Sequence, residues 1–222
     1  MRVPEFCDIC VREEINADLF RGNIELGPKA FKGTNPSVML VGQDPTITKG
    51  QVHSVLDLEN TSSLLYKYVV IEILEPIGLK LDNIYATNLV KCRFLYNQTP
   101  KTISEDHGMA IKDFLFPFFH NCRQHFFSEV RQVHPKIILA FGEPIHQLLI
   151  EEFGWSVPPK MKDAFSKIYY VSLLGDDAYY IPCIHINSRN KLHYKNLWSS
   201  FIQNSKEHVI LAGVIQSELQ FK

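Results

Sequence analysis

Four short apolar runs constrain this chain more than any other feature: Val38 to Val41, Ile84 to Thr87, Ile137 to Phe141 and Tyr180 to Ile186. Each is rich in β-branched and aliphatic residues and lacks the polar alternation of a strand with one wet face, so each reads as a strand covered on both sides. Between them the periodicity turns helical. Ser62 to Leu74 reads as a helix capped by Asn60 or Thr61, and Glu105 to Val133 as one or two helices with Pro117 as an interruption. Pro144 to Phe153 has the proline-first start of a helix, and Tyr194 to Ser205 gives a fourth. Strands alternating with helices predict an α/β fold, a three-layer α/β/α sandwich around a central four-stranded parallel sheet. With no internal repeat, low-complexity segment or Pro/Gly/Ser linker, the 222 residues are expected to form a single domain, 1–222.

In such sheets ligands sit at the carboxyl ends of the strands. Gln43 and Asp44 follow the first run, Asn88 the second, Gly142 and Glu143 the third, and His185 closes the fourth. Singly, each has an ordinary explanation: Asp before Pro makes turns, Asn caps, and a His at a strand end is usually a satisfied core residue. A carboxylate, a carboxamide and an imidazole converging on one sheet edge are a candidate for chemistry.

The cysteines form the second constellation. Cys7 and Cys10 stand in a C-x2-C, Cys92 in KCR and Cys122 in NCR, whereas Cys183 lies in an apolar run and reads as a buried hydrophobe. Four thiolates from three segments suit tetrahedral zinc or a [4Fe-4S] cluster; lone structural thiols or a redox pair are the competing reading. The N-terminus has no apolar signal core and no apolar run nears the ~20 residues that span a bilayer, so an intracellular, cytoplasmic protein with reduced thiols and no membrane partner is expected. The net charge of −1 gives no overall attraction to polyanions. Two cationic stretches stand out, Lys91, Arg93 and Lys101, and Arg189, Lys191, His193 and Lys195. They read equally well as a phosphate-binding patch or as solvated surface.

These residues resemble the uracil-DNA glycosylase superfamily, most closely its iron-sulfur, family 4-like branch. VMLVGQDP (Val38 to Pro45) is similar to motif 1. TNLVKCR (Thr87 to Arg93) with NQTP (Asn97 to Pro100) is similar to the iron-sulfur branch's cysteine segment. HPKIILAFGEP (His134 to Pro144) matches a family strand, and HINS (His185 to Ser188) stands in place of motif 2. The resemblance implies a [4Fe-4S] cluster on Cys7, Cys10, Cys92 and Cys122, with zinc as the alternative, and DNA as partner of a monomer. It also implies Asp44, Asn88 and His185 as catalytic residues. Gly42, Gln43, Ser188, Arg189, Asn190 and Lys191 are implied as substrate contacts. Two departures matter. Motif 2 lacks its proline after His185, and SVLDLENTSS (Ser54 to Ser63) has no aromatic where the family stacks a base, leaving Leu56 or Leu58 as platform.

The implied activity is hydrolysis of the N-glycosidic bond of a flipped-out uracil or other altered base, leaving an abasic site. Its transition state separates a sugar cation from a base anion, which a carboxylate and a hydrogen-bond donor can stabilise together, while a carboxamide reads a pyrimidine edge. Competing readings are a non-catalytic iron-sulfur protein binding DNA or a nucleotide on this fold, and a zinc-stapled α/β domain with only fold-level similarity.

Overall fold

The computed structural model describes residues 25–45, 54–94 and 99–215. In chain order the elements are β1 (Glu25–Leu26), β2 (Phe31–Lys32), β3 (Val38–Gly42) and α1 (Leu64–Tyr66), which runs on as a π-helix (Lys67–Leu74). Then come β4 (Ile84–Asn88), β5 (Cys92–Arg93), α2 (Pro100–His107), α3 (Ile111–Val133), β6 (Ile137–Phe141) and α4 (Glu143–Phe153). The last are α5 (Met161–Ala164), β7 (Tyr169–Leu173), β8 (Asp176–Cys183) and α6 (Leu192–Leu211). The main sheet has the order β2-β4-β3-β6-β8-β7. Its central four strands are parallel, as the apolar runs predict, with Val38 opposite both Ile84 and Ile137. Both edge strands, β2 and β7, are antiparallel additions that the sequence reading does not contain.

The sheet divides the core into two layers by strand periodicity. Met39, Val41, Tyr85, Ile138 and Ala140 face α3 and α4, while Val38, Leu40, Ile84, Ile137 and Leu139 face the π-helix and α6. Covering helices on both faces complete the three-layer sandwich. No described helix is long and apolar enough to cross a membrane.

Two helical expectations and one strand boundary change in detail. The 105–133 pattern splits at Gly108, which takes φ +62° to end α2, and not at Pro117, which lies inside continuous α3. A helix-interior proline costs about 3 kcal/mol. Burial of Phe114, Phe118 and Phe119, each contributing roughly 1.5–3 kcal/mol, outweighs it. Phe94 packs on this turn, 5.6 Å from Phe114 and 5.1 Å from Phe118 between ring centroids. The 62–74 segment becomes mainly π-helix, with the Glu75 N–H reaching back to the Val70 carbonyl at 2.9 Å. The last strand ends at Cys183, so His185 lies beyond it and opens a 3-10 turn, Ile186–Ser188.

Candidate active site

The sheet order sets the site. β4, β3, β6 and β8 are consecutive neighbours, so Asn88, the Gln43–Asp44 pair, Gly142 and His185 emerge in a row along one edge. With strands about 4.8 Å apart, the backbones carrying Asp44 and His185 are on the order of 10 Å apart, and those carrying Asn88 and His185 on the order of 14 Å. Backbone bonds tie neighbouring ends together: Leu89 N–H to Gly42 O at 2.8 Å, Val90 N–H to Gln43 O at 3.0 Å, and Gly142 N–H to Cys183 O at 2.8 Å.

Asn88 is buried, and among the described residues its carboxamide has no hydrogen-bond partner. With no partner among the described residues, its N–H donors and its carbonyl acceptor are available to a polar ligand. Its Oδ1 lies so close to Gly42 that a Cβ there would meet it at 2.4 Å, and the Leu56 Cδ2 would be 3.2 Å from the same Cβ. Gly42 is therefore required by its neighbour, and Leu56 borders the carboxamide. Leu56 and Asp57 both take left-handed φ angles, +57° and +53°. Such strain in non-glycine residues costs of order 1–3 kcal/mol each and concentrates at functional sites. Leu58, the other candidate platform, is buried in the core at 1% exposure and does not front the edge.

Asp44 is half-buried and receives the Gln43 Nε2 at 2.6 Å, so the Gln43 side chain orients the carboxylate. Glu143 turns away from the row: its Oε2 accepts the Met161 N–H at 3.0 Å and caps α5. Gly142, at φ +99°, starts α4, and a Cβ there would lie 3.8 Å from the His185 Cβ. His185 keeps an accessible edge, yet the surrounding protein desolvates the ring and lowers its pKa below the ordinary histidine range. Its Nδ1 accepts the Asn187 N–H at 3.2 Å. A neutral ring accepting at Nδ1 carries its proton on Nε2, which leaves Nε2 as donor.

The His185 turn is held at both ends by the π-helix. Buried Tyr68 donates its hydroxyl to the Ile184 carbonyl at 2.6 Å, and Glu72, one turn on, pairs with Arg189 at 2.5 Å. Burial pushes the Tyr68 phenol well up, so it remains a donor. Neither Tyr68 nor Glu72 stands out in the sequence, because partners 116 and 117 residues away leave no local signal. Ser188, Asn190 and Lys191 lie on the loop that follows, the last two exposed.

One expectation about charge is corrected. Lys91, read as part of a cationic surface stretch, is buried and pairs with Glu129 at 2.6 Å, with Thr87 bonded to both. Burial lowers the Lys91 pKa while Glu129 opposes it. This network joins α3 to the strand that ends in Asn88. Beside it, Cys92 and Cys122 are both buried, and the Lys91 backbone N–H donates to the Cys122 sulfur at 3.4 Å. Thus β5 and α3 bring two of the four cysteines to neighbouring positions. Cys7 and Cys10 lie outside the described residues; within them, Leu26 of β1 stands opposite Cys92.

The fold and the row of groups define a class: an α/β sandwich whose polar side chains gather at the carboxyl edge of a parallel sheet. Residues 28–206 match the family model described as Uracil DNA glycosylase superfamily, and the chain belongs to that superfamily. A search of curated proteins gives no match.

Proposed function

We propose that this protein is a monofunctional DNA glycosylase that hydrolyses the N-glycosidic bond of a flipped-out uracil or other altered base. The observation that carries this reading is the row of Asn88, Asp44 and His185 at the ends of neighbouring parallel strands, with Asn88 buried and its carboxamide without a hydrogen-bond partner among the described residues. In the proposed reaction the C1′–N bond breaks and its electron pair leaves with the base. The neutral His185 Nε2–H donates to the oxygen on which that negative charge develops, and the lowered pKa keeps the ring uncharged at neutral pH. Asp44, oriented by Gln43, faces the sugar cation and takes up the proton of the water that adds to C1′. The base departs after protonation and an abasic sugar remains. Asn88 reads the pyrimidine edge by donating and accepting, and Leu56 supplies an apolar wall in place of an aromatic platform. A leucine wall stacks less strongly than a ring, which widens the range of bases the site accepts.

Cys92 and Cys122, with Cys7 and Cys10, would hold a [4Fe-4S] cluster, as in the iron-sulfur branch of the superfamily. An N–H donor to the Cys122 sulfur and two buried thiols fit a thiolate-bound metal. The cluster would staple the N-terminal segment to β5 and α3, and the hydrolysis needs no electron from it.

The test is incubation with oligonucleotides carrying a panel of altered bases, followed by alkaline cleavage at abasic sites. Cleavage on at least one substrate is expected, with Asp44→Asn and His185→Ala lowering turnover while leaving DNA affinity largely intact. Protein that binds DNA but cleaves no substrate defeats the proposal. So does a collapse of affinity in both variants without loss of turnover at saturating DNA.

A further inference from the structure

Beside the His185 turn lies a cleft that the excision chemistry leaves unused. Glu72, Arg189, Asn190, Lys195 and Trp198 line an open space of about 420 Å3, within the size range of small-ligand pockets. It forms where the loop after β8 passes between the π-helix and the first turns of α6. Two cations and one acid line it, and the acid is already engaged by Arg189. Among the described residues, no acid pairs with Lys195.

Trp198 forms the apolar part of the wall. Its ring rests on Phe165 and Phe201, at centroid distances of 6.2 and 5.3 Å, and on Tyr68 at 6.3 Å. That packing fixes the indole in place. Among the described residues its N–H has no hydrogen-bond partner. The adjoining first turn of α6 carries no acid and no side-chain cap, so its positive end reinforces the lysine instead of being neutralised.

A fixed indole, an unpaired ammonium, a carboxamide and a guanidinium held by an exchangeable carboxylate fit one ligand chemistry: a phosphate attached to a flat, hydrogen-bonding ring. We infer that this cleft is a subsite for a nucleotide of the DNA strand flanking the extruded one. Lys195 and Asn190 take its phosphate, and Trp198 takes its sugar and base. Glu72 is the counterion that holds Arg189 between this subsite and the His185 turn until a phosphate replaces the carboxylate. The inference rests on the proposed DNA reading, but it does not need excision to occur. Stacking on an aromatic side chain is tolerant of base identity, so the subsite adds affinity without restricting the flanking sequence.

The test uses the full-length protein and fluorescence anisotropy with a labelled oligonucleotide of ordinary bases, so that no bond is cleaved. Lys195→Glu is expected to weaken binding about tenfold and to reduce the slope of log affinity against log salt by about one. Glu72→Gln, which removes the competing carboxylate, is expected to tighten binding. Intrinsic fluorescence gives a second readout: Trp155 is buried on the opposite face of the sheet, so quenching on titration with the oligonucleotide reports Trp198, and Trp198→Phe should abolish it. Folded Lys195→Glu protein with wild-type affinity and salt slope, or binding without quenching, overturns the subsite. The two proposals fail separately. If Lys195→Glu loses affinity while the wild type cleaves no altered base, the subsite stands and the glycosylase reading falls; the reverse pattern sinks the subsite alone.

Discussion

Gly42→Ala tests the arrangement of the site without removing any functional group. A methyl at Gly42 would stand 2.4 Å from the Asn88 Oδ1, whereas ordinary contact begins near 3.4 Å. Asn88 is buried beside this contact, and Leu56 Cδ2, at 3.2 Å from the same methyl, blocks retreat on that side. The carboxamide must therefore move by about 1 Å, a displacement that costs on the order of 100-fold in rate when it falls on a positioning group. That corresponds to about 2.7 kcal/mol of transition-state stabilisation. The assay is single-turnover excision on the best altered-base substrate for wild type, Gly42→Ala, Asn88→Ala and the double variant. If the methyl acts by displacing Asn88, its effect nearly vanishes once Asn88 is alanine, and the coupling energy approaches the whole single-variant loss. Folded Gly42→Ala protein with near-wild-type turnover refutes the geometric argument. Strictly additive losses refute the proposed route through Asn88.

Tyr68→Phe removes one buried hydrogen bond to the carbonyl preceding His185. It should cost roughly 1–3 kcal/mol in urea denaturation and lower kcat more than it raises KM; unchanged kcat would show that the His185 turn needs no such tether. His146 is fully buried and neutral, bonded to the Tyr180 hydroxyl and the Pro158 carbonyl at 2.7 Å each, and desolvation lowers its pKa, as it does for His185. Between the lowered folded values and the unfolded value of about 6.5, the unfolded chain binds more protons, so stability falls on acidification through that window. Urea midpoints that stay level from about pH 8 to about pH 5 contradict this. Cys122→Ser, made in protein purified without oxygen, should lose iron and acid-labile sulfide; a variant retaining the wild-type iron content would remove Cys122 from the cluster.

The central strands were legible because burial on both faces writes itself as continuous apolar runs, and the parallel order followed from the helices between them. Asp44, Asn88 and His185 could be named as candidates for the same reason, since they stand at or just beyond the ends of those runs. The edge strands β2 and β7 were not legible: their burial is partial and two-residue β2 has no pattern to show. Lys91 misled because a lysine near Arg93 looks like surface until Glu129, 38 residues on, is seen to meet it.

What the chain determines by itself is thus what repeats locally: strand and helix periodicity, the proline and glycine stops, and which polar residues stand at strand ends. Tertiary structure alone decided which of those residues have partners. It turned Glu143 away to cap α5, set Gln43 against Asp44, sent Leu58 into the core and Leu56 to the edge, and made a π-helix clamp both ends of the His185 turn. Hydrogen bonds and ion pairs act over a few ångströms of space with no regard for distance along the chain, so the identity of each partner appears only when the sheet has closed.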